Sequence, residues 1–576
     1  MIDSKLNILQ KVLENNSIES FLIPSTDEFL SEYSPPYLKR LEYICGFSGS
    51  NGILLASSNG KHVLFTDGRY LIQARNELPQ NVKIINLSEK SVKNYIDEEG
   101  IKLLAYDPRL HSSAFIDNIK SDNCKLLPIK NPIDEIWENR PKMPNSMPFM
   151  QNLDYIADFP QIKLTEILGK FATIADKLLV ADPESICYLL NIRGTDIPCN
   201  PVILSYIFIS KSGDIDLFTY KPSRFDYLKE VIELQIKFHD INNLEEYISG
   251  LNGQKIAYNI PKTQDWFRNK FDKNSIESVS FDDGLLLMRA VKKDNEIEGA
   301  KKAHIMDAIA VINAIYRIKH ATTTLNEMDI AQILLEERKK YKEFICESFP
   351  SICGFASNGA IIHYRATEKS AKPLVGTELL LVDSGGHYES GTTDITRTIL
   401  IGNNPKDKWK ECYTAVLQGH INLLDHDFNE NTIGSELDAI ARKPIQDIGY
   451  DYEHGTGHGV GNLLNVHEGP FHISKRHNPQ KIMKNMIMSN EPGIYIEGEF
   501  GIRIENLMFC KEVATHQYGF ESLTLVPYEK DLILFEKLDT SQINWLKHYY
   551  KMISSIILPQ IKDNNISAWL KSQLEF

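Results

Sequence analysis

Residues 379–398 read LLLVDSGGHYESGTTDITRT. An apolar run ends in Asp383, a Gly- and Ser-rich turn follows, and a second strand-like run opens after Asp394, eleven positions on. That grammar predicts a hairpin whose two carboxylates face each other across adjacent antiparallel strands. Like charges so placed are costly unless a cation lies between them. Period two also sets Asp394 with Thr396 and Thr398 on one face, and Ile395 and Ile399, with Arg397, on the other.

Further phrases downstream repeat the pattern. In GIRIEN, residues 501–506, alternation puts Ile502 and Ile504 on one face and Arg503 and Glu505 on the opposite, polar one. His454 and His458 fall in HGTGHGVG, where glycines permit close backbone approach and disfavour a helix, unlike the helical HExxH of zinc proteases. Glu491 stands in SNEPGIY, and Pro492 and Gly493 bend the chain just after it. Any one of these residues alone reads as a solvated acid or a satisfied core histidine. Together, Asp383, Asp394, Glu491 and Glu505 bring four negative charges, which two divalent cations balance, and His458 adds one imidazole. Oxygen-dominated ligation of this kind favours Mn²⁺, Co²⁺ or Mg²⁺ over thiolate-seeking sites, with Zn²⁺ also compatible.

Composition bounds the class. At 576 residues, with 42% hydrophobic and 24% charged, the chain suits a soluble protein of three or four domains. No run reaches the roughly 20 apolar residues of a membrane span. The first residues lack a signal-peptide core and cleavage site, so a cytoplasmic location is expected. Eight cysteines are scattered without a CxxC pair, which predicts reduced, mostly buried thiols. A net charge of −14 with no basic stripe argues against a nucleic-acid partner. GFSGS fails the G-x-S-x-G nucleophile pattern, and HGTGHGVG is neither GxGxxG nor a P-loop.

Organisation follows from the punctuation. An N-terminal helix over NILQKVL and strands ILLA and HVLF joined by SSNGK predict a first α/β unit. Pro132, Pro141, Pro144 and Pro148 mark an irregular arm ending near residue 160. The order helix, strand, hairpin then recurs through VILSYIFIS, KSGD and IDLFTY, as a divergent duplication would leave it. Near Arg289 a long helix opens, with Ile297, Ala300, Ile305, Ile309 and Ile312 on its apolar side. Thr324 with Glu327, and Ser435, are expected helix caps, and SQINWLKHYYKMISSIIL is expected to be a C-terminal packing helix.

VDSGG, GTTDITRT, HGTGHGVG, NVHEGP, SNEPGIY and GIRIEN together resemble the M24 metallopeptidases of pita-bread fold, specifically the cytosolic three-domain Xaa-Pro aminopeptidases (aminopeptidase P). PSTDEFLSEY, GFSGSNG and FTDGRY resemble that family's first domain, NIRGTDIPCNPV its second and LTLVP its C-terminal tail. The resemblance implies two creatinase-like α/β domains, 1–160 and 161–289, before a pita-bread α+β catalytic domain, 290–576, with a C-terminal extension from about 511. It implies that Asp394 and Glu505 bridge two divalent ions, most simply Mn²⁺, that His458 and Glu491 complete one, and that Asp383 chelates the other. His363 in GAIIHYRA, His454 and His467 are similar to substrate-pocket histidines, and Arg503 to an outer-shell arginine. The implied reaction is attack by a bridging hydroxide on the bond before a penultimate proline, with Glu491 handling the proton. A homodimer is implied as well, and a structural role for the first two domains. Two rivals stay open: prolidase, a dipeptidase with the same ligands, and a metal-free pita-bread binding module. Arg40 and Arg69 are expected to be solvated surface arginines.

Overall fold

A computed structural model describes residues 2–228 and 232–575. Two compact units form, one from residues up to Met150 together with Asp158–Leu285, the other from Gln151–Ala157 with Leu286 onward.

The first unit contains two six-stranded sheets. In one, Val82–Asn86, His62–Thr66, Gly52–Ser57, Ser20–Pro24, Leu103–Tyr106 and Lys125–Pro128 lie side by side in that order. In the other the order is Ile236–Asp240, Ile215–Thr219, Ser205–Ser210, Lys177–Val180, Lys255–Tyr258 and Glu277–Ser280. The sense of each successive pairing is the same in both: parallel, antiparallel, antiparallel, parallel, parallel. The recurrence of helix, strand and hairpin in the sequence is therefore a repeat of topology. SSNGK is the expected turn, with Gly60 at φ 81°. Arg40 departs from expectation: it is buried, its guanidinium 2.6 Å from Glu28 and 2.8 Å from Asp134. Desolvating that charge is tolerated because two carboxylates meet it. Arg69 is not free in solvent either, lying 2.8 Å from Asp67.

The second unit carries the motifs. Its long helix, Asp294–Lys319, buries Ile297, Ala300, Ile309 and Ile312 as the spacing predicts. Both cap expectations fail. Asn326, not Thr324, caps Glu327–Arg338, accepting from the amides of Met328 and Asp329. Glu327 is drawn away into a buried network with Phe355, Asn358, Tyr364 and Lys372. Ser435 lies inside the helix Gly434–Asp447, where the Glu436 carboxylate takes the Ile433 N–H instead. The C-terminal helix Thr540–Ile556 packs Leu546, Tyr550 and Ile553 into the main core. That core also takes Leu380, Val382, Ile395, Ile399, Ile494, Ile502 and Ile504. Burial of each such side chain favours the fold by about 1.5–3 kcal/mol. A one-residue slip of register would exchange these for their polar neighbours, so the core fixes which side chains face the site. No described helix is long and apolar enough to cross a membrane.

Candidate metal centre

Asp383 stands near the end of the strand Glu378–Ser384, which pairs antiparallel with Ile395–Ile401 and sets Asp383 opposite Thr396. The connection between them is more than a turn: Gly386–Tyr388 and Gly391–Thr392 form a small hairpin that joins the strand Phe344–Glu347. A Cβ on Gly385 would lie 2.0 Å from the Thr393 carbonyl oxygen, which explains the glycine at the entry to this detour. Asp394 leaves the detour just before Ile395, on the Thr396 face.

The polar face of the sequence reading is realised. Thr396 donates its hydroxyl to Glu505 Oε2 at 2.7 Å, and Thr398 donates to the Arg503 carbonyl at 3.0 Å. Arg397, on the other face and fully buried, donates to the carbonyls of Glu505, Val526 and Pro527 and to Asn506 Oδ1. LTLVP thus wraps a guanidinium that holds the backbone of Glu505. His458 lies in the short strand Gly457–Gly459, where a Cβ on Gly457 would meet the Ser489 carbonyl oxygen at 2.0 Å. Its Nδ1 is 2.9 Å from the Gly459 carbonyl, which can only accept, so Nδ1 carries a proton and Nε2 is the ring nitrogen turned toward the acids. Nε2 is 3.4 Å from Glu491 Oε1 and 3.7 Å from Asp394 Oδ2.

Asp394, His458 and Glu505 each offer a ligand atom, all within 4.8 Å of one another. Asp383 Oδ1 and Asp394 Oδ1 are buried without a hydrogen-bond partner. Burial, with the charges of Glu505 and Asp383, drives the Asp394 carboxyl well above the usual range, and Glu505 is driven up likewise by burial, Glu491 and Asp383. Glu491 is pushed up to about 7, by burial first and by Asp383, against the opposing pull of Arg503 and His467. Orphaned acceptors, an imidazole nitrogen among carboxylates and mutually repelling acids form a donor set that fits divalent cations.

Arg503 takes up part of the charge. It donates to Asp383 Oδ2 at 2.6 Å, the Tyr495 hydroxyl at 2.7 Å, Thr396 Oγ1 at 3.1 Å and the Ile362 carbonyl at 3.5 Å. The last contact ties in His363 through its preceding residue. His454 reaches the cluster with Nδ1 3.9 Å from Glu491 Oε2 and Nε2 2.9 Å from the Tyr495 hydroxyl. His467 meets the His458 ring edge-on, centroids 4.4 Å apart. Its neighbour Glu468 is buried against Lys292 at 2.5 Å and Arg289 at 3.4 Å. Two contributors were missed in the sequence. Tyr495 links Arg503 to His454, and Ser489 accepts from the His458 amide at 3.0 Å while donating to Glu491 at 3.1 Å. Both lie in the SNEPGIY phrase, close on either side of Glu491.

Comparison with known proteins extends these observations over the chain. Residues 298–512 match Metallopeptidase family M24, residues 5–136 and 139–296 each match the Creatinase/Prolidase N-terminal domain, and residues 516–575 match the C-terminal region of peptidase M24. Xaa-Pro aminopeptidase 1 of Dictyostelium discoideum is 35% identical, over 100% of this chain and 96% of its own length. X-prolyl aminopeptidase from Caenorhabditis elegans, described as a cytosolic enzyme with a di-nuclear active site, superposes with a TM-score of 0.92 at 27% identity, covering 100% of both chains. Prolidase from Pyrococcus horikoshii reaches a TM-score of 0.54 at 25% identity, covering 64% of this chain and 99% of its own. The chain belongs to metallopeptidase family M24, among its Xaa-Pro aminopeptidases.

Proposed function

We propose that the chain is a metal-dependent aminopeptidase that releases the first residue from peptides with proline in second position. The observation that carries this reading is the convergence of Asp394, His458 and Glu505, with orphaned carboxylate oxygens beside them, in a chain similar throughout its length to Xaa-Pro aminopeptidases. Asp383, Asp394, His458, Glu491 and Glu505 would hold two divalent ions, with Asp394 and Glu505 shared between them. Mn²⁺ is the proposed metal, on the hard, oxygen-rich character of the set. Bound there, the cations supply Lewis acidity and lower the pKa of water toward neutrality.

The protein's own groups do the rest. Glu491 takes a proton from the attacking water and delivers it to the proline nitrogen as the C–N bond breaks. His467 hydrogen-bonds the carbonyl oxygen as it gains charge, and His363 the proline side. His454 and Arg503, joined through Tyr495, keep Glu491 and Asp383 oriented. A free amino terminus beside Asp383 accounts for exopeptidase action, since a chain interior offers no such amine. Proline lacks an amide N–H, which disarms peptidases that bind that donor and rewards a pocket shaped for the ring.

The full-length relatives favour an aminopeptidase over prolidase, whose likeness leaves about a third of the chain unmatched. Turnover of an Xaa-Pro-Xaa tripeptide against an Xaa-Pro dipeptide, with stripped and Mn²⁺-reloaded protein, tests the assignment. Rapid cleavage of the dipeptide alone would transfer the reading to prolidase. Less than one ion per chain, unrestored by Mn²⁺, would transfer it to a binding module. A cytoplasmic location and a homodimer belong to the same proposal, as does a division into domains at about residues 160 and 289. Light scattering tests the dimer, and a monomer mass across micromolar concentrations would remove it.

A further inference from the structure

Glu468, next to His467 in NVHEGP, is only 3% exposed, and Lys292 and Arg289 beside it are 2% and 3% exposed. Lys292 Nζ donates to Glu468 Oε1 at 2.5 Å and to the Arg289 carbonyl at 2.5 Å, while Arg289 Nε lies 3.4 Å from Glu468 Oε2. The two bases are fixed in turn. Arg289 belongs to the helix Leu285–Ala290, Val291 bridges to Met486, and the Lys292 amide donates to the Asn485 carbonyl at 3.2 Å. Burying three charges is costly, and well-packed apolar residues of similar volume are often at least as stabilising. Stability alone is therefore a poor account of this cluster.

Its neighbours give a better one. Glu468 pairs across the sheet with Gly459, the residue after His458, so closely that a Cβ on Gly459 would lie 2.3 Å from the Glu468 carbonyl oxygen. One residue before Glu468, the His467 ring meets the His458 ring with centroids 4.4 Å apart. The carboxylate thus ties the segments of both histidines to one buried pair of bases. We propose that Glu468 is a positioning residue which, held by Lys292 and Arg289, fixes His467 where the scissile carbonyl oxygen gains charge. It acts through the adjoining ring, not on the substrate. A misplacement of about 1 Å in such a donor costs about 100-fold in rate. This role rests on the peptidase reading, in which His467 serves the transition state.

Removing one partner of a buried ion pair strands the other, so the test removes both, combining Glu468→Gln with Lys292→Met. Full-length, Mn²⁺-loaded protein is assayed on an Xaa-Pro-Xaa tripeptide. The paired variant should lose about 10–100-fold in kcat, with KM and ions per chain nearly unchanged. Introduced into His467→Ala, the same two changes should cost less than about twofold, because the ring they position is gone. Glu468→Asp keeps the charge and draws the anchor back by one carbon. It should show a smaller loss of the same kind, and it carries the cycle if the paired variant does not fold. Equal losses with and without His467 would overturn the proposal, since the cluster would then support the site by another route. Unchanged kcat in both Glu468 variants would overturn it as well. Full turnover in His467→Ala would remove donor and clamp together and leave the peptidase reading standing. Absence of Xaa-Pro-Xaa turnover in the wild type would defeat that reading itself, and this role with it.

Discussion

Arg503 offsets charge in the acidic cluster and holds Asp383 directly. Its guanidinium spans Asp383, Tyr495 and Thr396 at once, a geometry available to a planar fork and not to an ammonium. Arg503→Lys therefore keeps the charge and loses the fork. It is expected to lower kcat/KM on an Xaa-Pro-Xaa peptide by about 10–100-fold, and metal affinity with it. Tyr495→Phe removes the hydroxyl between Arg503 and His454 and is expected to cost about 10-fold. Unchanged kinetics in Tyr495→Phe would take that residue out of the machinery. Period two sufficed to put Arg503 and Glu505 on one face in the sequence, because Ile502 and Ile504 had to be buried on the other. Arg40 could not be read the same way. Its partner Asp134 lies 94 positions away and is itself exposed, so nothing in the local pattern marks Arg40 as buried.

Two helices hold the elements that carry the site, and each makes a prediction. His420, in the helix Asp407–Leu424, is buried, with Nδ1 3.1 Å from the Asn490 carbonyl and Nε2 3.1 Å from the Tyr528 hydroxyl. Asn490 returns a bond to the His420 carbonyl at 2.9 Å, so the helix clamps the strand end just before Glu491. Burial, aided by Arg397, pushes the His420 ring down to about 3 from its ordinary 6.5. The unfolded chain binds this proton across that window while the folded one does not, so stability falls as pH drops from 6.5 toward 3. The slope approaches about 1.4 kcal/mol per pH unit. His420→Gln should flatten that part of the stability curve in urea titrations at pH 4–6, and an unaltered slope would refute the assignment. In the helix Glu327–Arg338, the Glu327 carboxylate accepts from the amides of Phe355 and Lys372, from Asn358 and from the Tyr364 hydroxyl. It thereby fixes the segment on either side of His363. Glu327→Gln points an NH₂ at some of these donors and should cost about 1–3 kcal/mol and raise KM. A normal melting temperature with normal KM would count against it. The sequence hid this role because Thr324 and Glu327 match a capping box, a short-range pattern. The competing partners lie 28 to 45 positions downstream.

At the scale of the molecule, the acids and the core divide the work of one unit, while the other repeats a sheet topology whose polar features are of a different kind. Motif phrases made the catalytic unit legible because each couples an apolar strand face to an acid at a fixed offset. The small hairpin between Asp383 and Asp394 was not legible. Its pairing with Phe344–Glu347 is a tertiary choice enforced by close approach at Gly385. Metal removal tests the division. Without cations the cluster keeps four acids against Arg503, with Asp383 Oδ1 and Asp394 Oδ1 unsatisfied. Cations that bind only the folded state stabilise it by about 4 kcal/mol at a thousandfold excess over Kd. Stripping them should therefore raise amide hydrogen exchange in Glu378–Ser384, Ile395–Ile401 and Ile487–Asn490, the strands that carry or abut ligands. The sheets built around Ser20–Pro24 and Ser205–Ser210 should keep their protection. Equal loosening of both units on stripping would mean that the cations support the chain as a whole. No change anywhere would mean that the acids are balanced without them, and the dinuclear reading would fall.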